Sequence, residues 1–223
     1  MLSNIKVIAF DIDGTLYPAG ALYRRLLFYV LKNLKFYLSF SKVRRTLHKT
    51  APLPDFYEYQ GRLLAERLGC SATEARGKID AIVYKGLTPY LEKVKPFKYV
   101  EEAFIKFREA GYKIVLLSDF PPEQKGNVWG LAQYCDLIFG SEALGALKPS
   151  KYPFGAMAIA AGVKPEEVLY VGNSIKYDVQ GANAAGMKSA LIISKFKRLF
   201  SRKAKQADIC FSNYRQLINI VLQ

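Results

Sequence analysis

The chain has 223 residues, 51% of them hydrophobic and 23% charged, with 33 Lys and Arg against 19 Asp and Glu for a formal net charge of +14. That length supports one substantial core, or a core with a smaller second unit, and the composition excludes a disordered chain. Cys70, Cys135 and Cys210 are an odd number, far apart and without metal-ligand spacing, which excludes a disulfide scaffold and leads us to expect free thiols in a reducing cytoplasm.

The apolar run Ile5 to Phe10 is too short for a secretory signal and ends in acid. No window approaches the roughly 18 uninterrupted apolar residues of a membrane-spanning helix. Residues 1–16 are predicted to be a strand followed by a polar loop. Residues 17–93 then read as helix after helix. Leu22, Leu26, Tyr29 or Val30, Leu34 and Tyr37 recur at helical spacing, and Pro52 and Pro54 break the pattern. Phe56 to Leu68 is a second helix with Gly69 as its C-terminal cap. Ser71, with Glu74 three residues on, opens a third as a capping box.

From Val94 the pattern becomes regular: a helix Tyr99 to Ala110, a strand to Ser118, a helix near Glu123 to Tyr134 and a strand near Leu137. A helix Tyr152 to Ala161, a strand to Val171, a helix Tyr177 to Ala185 and a strand Ser189 to Ile193 follow. Asp208 to Phe211 reads as an edge strand, and Tyr214 to Leu222 as a closing helix. Such alternation predicts an α/β fold, a doubly wound parallel sheet covered on both faces. The expected domains are 1–16 with 94–223 as the α/β core, and 17–93 as a helical insertion.

Four strand ends carry chemistry. The first runs from Val7 to Phe10 into Asp11-Ile12-Asp13-Gly14-Thr15-Leu16. On an extended backbone Asp11 and Asp13 share one face, which is unfavourable for two like charges unless a cation lies between them or one carboxyl keeps its proton. The run Lys113 to Leu117 ends in Ser118-Asp119. Asp136 to Gly140 leads through a loop to Lys148-Pro149. Val168 to Gly172 ends in Asn173-Ser174, with Asp178 five residues after Asn173. In an open parallel sheet, functional groups gather beyond the carboxyl ends of the strands. Each of these residues has an ordinary structural reading by itself, and their joint order is what points to function.

Those residues, in that order, resemble the haloacid dehalogenase superfamily, and the resemblance extends to Gly181-Ala182-Asn183-Ala184-Ala185-Gly186-Met187 behind the fourth motif. The resemblance implies a Rossmann-like core, a helical cap at 17–93, and phosphoryl transfer through an aspartyl-phosphate. Asp11 would be the nucleophile and Asp13 the general acid. Ser118 and Asp119 would bind the substrate phosphate with the backbone around them, and Lys148 would neutralise charge on Asp11 and the phosphate. Mg2+ would be held by Asp11, the Asp13 carbonyl, Asn173 and Asp178. Where the family often has Asp, this chain has Asn173, so the metal site loses one charge. Asp13 argues for a phosphatase acting on a small phosphorylated substrate rather than a dehalogenase. A phosphomutase, and a non-catalytic member binding an anionic surface, are the alternatives.

The charge is uneven. From Ala19 to Pro54 there are eight Lys and Arg and no acid. Lys195, Lys197, Arg198, Arg202, Lys203 and Lys205 form a second run. A basic field attracts anionic substrates, and a basic amphipathic helix can signal a membrane surface. The favoured reading is a solvated basic face whose aromatics form the core of the cap. Peripheral contact with an anionic membrane is the weaker reading, and no nucleic-acid motif accompanies the charge. His48, among Arg44, Arg45 and Lys49, is read as a solvated surface group.

Overall fold

A computed structural model describes residues 2, 4–194, 196 and 202–223, without the side chains of Arg202 and Lys203. Of the predicted basic run, Lys195, Lys197 and Arg198 therefore lie outside the described residues, as do the side chains of Arg202 and Lys203. Six strands form one sheet: β1 (Val7–Phe10), β2 (Lys113–Ser118), β3 (Leu137–Gly140), β4 (Val168–Gly172), β5 (Lys188–Ile192) and β6 (Ile209–Phe211). Their order is β3-β2-β1-β4-β5-β6, and every neighbouring pair is parallel. This is the α/β doubly wound sheet the alternation predicts, with β6 at an edge.

Alternate residues of β1 face opposite layers, as the pleat requires. Ile8 and Phe10 pack with Phe104 and Phe107 of α6 (Val100–Glu109) and with Tyr214 and Leu217 of the C-terminal helix Tyr214–Leu222. Val7 and Ala9 pack with Phe154 and Met157 of α7 (Lys151–Ala161) and Ala182 of α8 (Gln180–Ala184). Both faces of the sheet are thus covered by helices.

Between β1 and α6 lie α1 (Ala19–Lys32), α2 (Leu34–Leu47), α3 (Phe56–Leu68), α4 (Ala72–Ile79) and α5 (Thr88–Leu91). Phe36, Phe40, Val43, Leu47, Phe56, Leu64 and Ile79 make a separate apolar cluster there. Gly69 ends α3 in the left-handed conformation at φ 69°, and Ser71 accepts from Glu74 N–H at 3.1 Å. The reciprocal half of the capping box is absent from the contacts of Glu74, whose carboxylate pairs with Lys78 at 2.6 Å.

Three expectations change. The periodicity through Tyr37 crosses a break at Asn33 (φ −111°, ψ 28°) that separates α1 from α2, and Leu34 is exposed rather than buried. The helix expected near Glu123 to Tyr134 is two short 3-10 stretches, Pro122–Lys125 and Val128–Tyr134. Trp129 (φ 56°) and Gly130 (φ 90°) interrupt the second, and the Trp129 indole instead donates to the Leu91 carbonyl at 3.0 Å and meets Tyr17 edge-on. Third, the aromatics of α1 and α2 do not all enter a core: Phe36 and Phe40 do, whereas Tyr23 and Phe28 are exposed.

Candidate active site

β1 ends at the reversal of strand order, where β1 lies between β2 and β4. The Asp11 N–H continues the ladder to the Val171 carbonyl at 2.9 Å, which fixes the loop after β1 beside the loop after β4. Gly14 adopts φ +87°, and a Cβ there would lie 2.1 Å from Asn173 Nδ2. Glycine alone lets the two loops close on each other at that point.

Asp11 is 5% exposed. Its Oδ2 accepts from the Thr15 hydroxyl at 2.7 Å and its Oδ1 from Lys148 Nζ at 2.6 Å. Lys148 Nζ also donates to Asp178 Oδ1 at 2.7 Å and reaches the Tyr170 hydroxyl at 3.3 Å. Asp178 Oδ2 accepts from the backbone N–H groups of Asn173 at 3.1 Å and Ser174 at 2.8 Å. Both Asp178 oxygens are therefore engaged, one by the lysine and one by the loop it shapes.

Asp13 has a separate set of donors. The Tyr17 hydroxyl donates to Oδ1 at 2.6 Å, the Ser118 hydroxyl donates to Oδ2 at 3.1 Å, and Lys125 Nζ lies 3.2 Å from Oδ2. The Asn173 amide nitrogen reaches the Asp13 carbonyl at 3.4 Å.

Burial, with the charges of Asp178 and Asp13 behind it, pushes the Asp11 carboxyl up to about 7 despite Lys148. Burial also raises Asp13, but Lys125, Tyr17 and Ser118 outweigh it and hold that carboxyl below the usual range. For Lys148 the penalty of burial is overcome by Asp11 and Asp178, which hold its ammonium charged. Three carboxylates thus meet two ammonium groups, leaving net negative charge at the crevice.

The structure brings together Asp11, Asp13, Ser118, Lys148, Asn173 and Asp178. The Asp119 side chain serves otherwise: it accepts from the Ser141 hydroxyl at 2.6 Å and the Lys148 backbone N–H at 3.1 Å, so it positions the lysine loop. Being an acceptor, that carboxylate cannot bind a phosphate oxygen, and only its backbone could serve the role expected of it. His48 is not a solvated surface group. Its ring is stacked on Tyr177 at 4.5 Å between centroids, and Nδ1 is 2.5 Å from the Lys148 carbonyl. Arg44 likewise leaves the basic face: it is buried, ion-paired with Glu142, and sits 4.5 Å over the Phe120 ring. Sequence reasoning missed Lys125 and Tyr17. Tyr17 stands four residues after Asp13, a spacing that could have flagged it, whereas nothing local marks Lys125.

The donors near Asp11 suit a hard cation. Among the described residues no three His, Cys, Asp or Glu side chains gather as a metal cage. Mg2+ does not need one, since it binds through one or two carboxylates together with carbonyl, water and phosphate oxygens. The Asp11 carboxylate, the Asp13 carbonyl and the Asn173 amide are oxygen donors of that kind, at a crevice with unbalanced negative charge.

Comparison with known proteins follows the same line. A family model for haloacid dehalogenase-like hydrolases matches residues 5–186. The chain is 29% identical over 230 residues to the glyceraldehyde 3-phosphate phosphatase of Methanopyrus kandleri, covering 97% of each chain. It is 27% identical over 201 residues to the ribulose-1,5-bisphosphate 5-phosphatase of Halopiger xanaduensis, covering 82% of this chain and 83% of that one. The crystal structure of a HAD phosphatase from Thermococcus onnurineus superposes with a TM-score of 0.65 at 22% identity, covering 97% of this chain and 98% of that chain. With the family match spanning most of its length, and the strand-end residues in the expected order, the chain belongs to the haloacid dehalogenase-like hydrolases.

Proposed function

We propose that the protein is a Mg2+-dependent phosphatase that hydrolyses a small phosphate monoester through an aspartyl-phosphate on Asp11. The observation that carries this reading is that two carboxylates two residues apart, Asp11 buried and Asp13 partly exposed, each have their own buried lysine: Lys148 on Asp11 and Lys125 on Asp13. Relatives that match along most of their length are named glyceraldehyde 3-phosphate phosphatase, ribulose-1,5-bisphosphate 5-phosphatase and phosphoglycolate phosphatase, which supports a small phosphorylated substrate.

Asp11 attacks phosphorus with one carboxylate oxygen, and the ester P–O bond breaks. Thr15 and Lys148 orient the carboxylate, and Lys148 offsets its charge as the anionic phosphoryl group arrives. Asp13 protonates the leaving oxygen and then takes a proton from the water that cleaves the acyl-phosphate. In the free site Asp13 is held ionised by Lys125, Tyr17 and Ser118. A phosphoryl group that draws Ser118 and Lys125 to its own oxygens removes those donors and adds negative charge, and both changes raise the Asp13 pKa toward the acid form.

A bound Mg2+ would be held by Asp11, the Asp13 carbonyl and Asn173, and it supplies positive charge that lets Asp11 and the phosphate approach. Asp178, with both oxygens taken, is a positioning residue for Lys148 and the Asn173 loop. We read α1–α5, residues 17–93, as a cap that closes over the crevice and contacts the part of the substrate beyond its phosphate.

Replacing Asp11 by Asn tests the reading. Turnover of a generic aryl phosphate should vanish in that variant, and in wild-type protein with excess EDTA, while the melting curve stays cooperative. Full activity under either condition overturns the mechanism.

A further inference from the structure

α1 and α2 present a large apolar surface away from their core. Tyr23 is 68% exposed, Leu27 54%, Phe28 80%, Leu31 54%, Leu34 45% and Leu38 56%. The opposite side of the same helices is occupied: Leu22, Leu26, Phe36, Phe40, Val43 and Leu47 are buried. Two apolar stripes therefore run along one helical pair, and packing within the chain satisfies only one.

The exposed stripe is in register. At about 100° per residue, Tyr23, Leu27, Leu31, Leu34 and Leu38 fall within about 80° of arc. Two backbone bonds keep the helical spacing at Asn33, its N–H to the Tyr29 carbonyl at 3.2 Å and the Tyr37 N–H to its carbonyl at 3.0 Å, and the exposed apolar residues share one face on both sides of the break. Arg24, Lys35 and Lys42 follow on the same side of the stripe, with Arg25 and Lys32 beyond them. All five are exposed. No acid occurs from Ala19 to Pro54.

The charge identifies the occupant. A second copy of this chain meeting the first across a two-fold axis would set this basic margin against itself, with no carboxylate in the segment to neutralise it. An anionic lipid surface supplies what both parts lack: a boundary layer for aromatic and leucine side chains, and phosphate and carboxylate groups for the Lys and Arg. We propose that the α1–α2 face docks the protein on an anionic lipid surface. Tyr23, Leu27, Phe28 and Leu31 enter the boundary between headgroups and acyl chains, and Arg24, Arg25, Lys32 and Lys35 meet the headgroups. This inference stands apart from the phosphatase reading, because none of these side chains is among those that hydrogen-bond or ion-pair with Asp11 or Asp13.

Flotation of the full chain with phosphatidylcholine vesicles, with and without phosphatidylserine, at low and high salt, tests it. The protein should float with the phosphatidylserine vesicles at low salt and be released by high salt. Leu27→Ser/Phe28→Ser/Leu31→Ser and, separately, Arg24→Gln/Arg25→Gln/Lys32→Gln/Lys35→Gln should each weaken binding at least tenfold without altering the thermal melt. Failure to float with phosphatidylserine vesicles overturns the proposal, as does equal binding to neutral vesicles or binding indifferent to the apolar substitutions. Light scattering that shows a dimer in solution, dissociated by the apolar variant, assigns the face to a second copy and also overturns it.

Discussion

His48, at the C-terminal end of α2, bonds through Nδ1 to the backbone carbonyl of Lys148, the residue whose ammonium holds Asp11. A carbonyl can only accept, so Nδ1 carries the proton and the imidazole is the donor. The helical segment is thereby tied to the lysine loop of the core. Other ties lie nearby: the Leu53 N–H donates to the Gly145 carbonyl at 2.9 Å, and the Gln124 amide donates to the Val83 carbonyl at 2.5 Å.

The burial of this imidazole makes stability depend on pH, although the bond to the Lys148 carbonyl works against it. Burial lowers the His48 pKa, and the nearby Asp119 carboxylate only partly offsets it. As pH falls through the unfolded value of about 6.5, the unfolded chain takes a proton that native His48 resists, so the native state loses stability. His48→Gln keeps a donor that can reach the carbonyl but cannot titrate. Its melting temperature should fall less than that of wild type between neutral and mildly acidic pH, when the two are compared by scanning calorimetry. Parallel curves would mean that His48 titrates alike in both states.

Arg44 and Glu142 give a second prediction. Glu142 is buried in the core, accepts from the Tyr84 hydroxyl at 2.6 Å and pairs with Arg44. Burial raises its pKa although Arg44 and Tyr84 pull it down, so pairing does not fully offset desolvation. Arg44→Met leaves a buried carboxylate uncompensated and should cost about 3–5 kcal/mol in urea unfolding. Adding Glu142→Gln should recover part of that loss, a non-additivity read directly from the double-mutant cycle.

Lys125 gives the third. Its side chain is fully buried, 3.2 Å from Asp13 and 3.4 Å from Ser118. If it stabilises the phosphoryl group in the transition state, Lys125→Met should lower kcat by about 10²–10³-fold with a smaller change in KM. Lys125→Arg should recover part of the rate. A change confined to KM would mean that it holds the ground state and the transition state equally.

Such contacts explain which parts of the site were legible in sequence. Asp11, Ser118, Lys148 and Asn173 each follow a short apolar strand, and strand ends are local signals that a parallel sheet gathers into one crevice. Lys125 ends the first of two short 3-10 stretches that replace the helix expected over Glu123 to Tyr134, and its meeting with Asp13 depends on the packing of distant segments. His48 is flanked in sequence by the exposed Arg45 and Lys49, so its neighbours in sequence concealed its neighbours in space. On α1, helical periodicity marked the stripe through Leu22 and Leu26, which does face the core, but passed over a second apolar stripe of Tyr23, Leu27 and Leu31, which is exposed.

The last prediction separates Asn173 from Asp178, which the motif alone treats as a pair. Asn173 is exposed, and its amide nitrogen lies 3.4 Å from the Asp13 carbonyl, which puts the amide beside a second oxygen donor for a cation. Asn173→Asp adds a charge there, and the Mg2+ concentration for half-maximal activity should fall, even if turnover drops because the added carboxylate repels phosphate. Asp178 is buried between one ammonium and two backbone N–H groups, all donors. Asp178→Asn sets an amide N–H against one of those donors whichever way it turns, and leaves Lys148 with a single carboxylate. That variant should melt at lower temperature and lose activity at every Mg2+ concentration, a loss that excess metal does not rescue. Rescue by metal would make Asp178 a ligand rather than the residue that positions Lys148. An unchanged Mg2+ titration for Asn173→Asp would remove Asn173 from the cation's coordination shell.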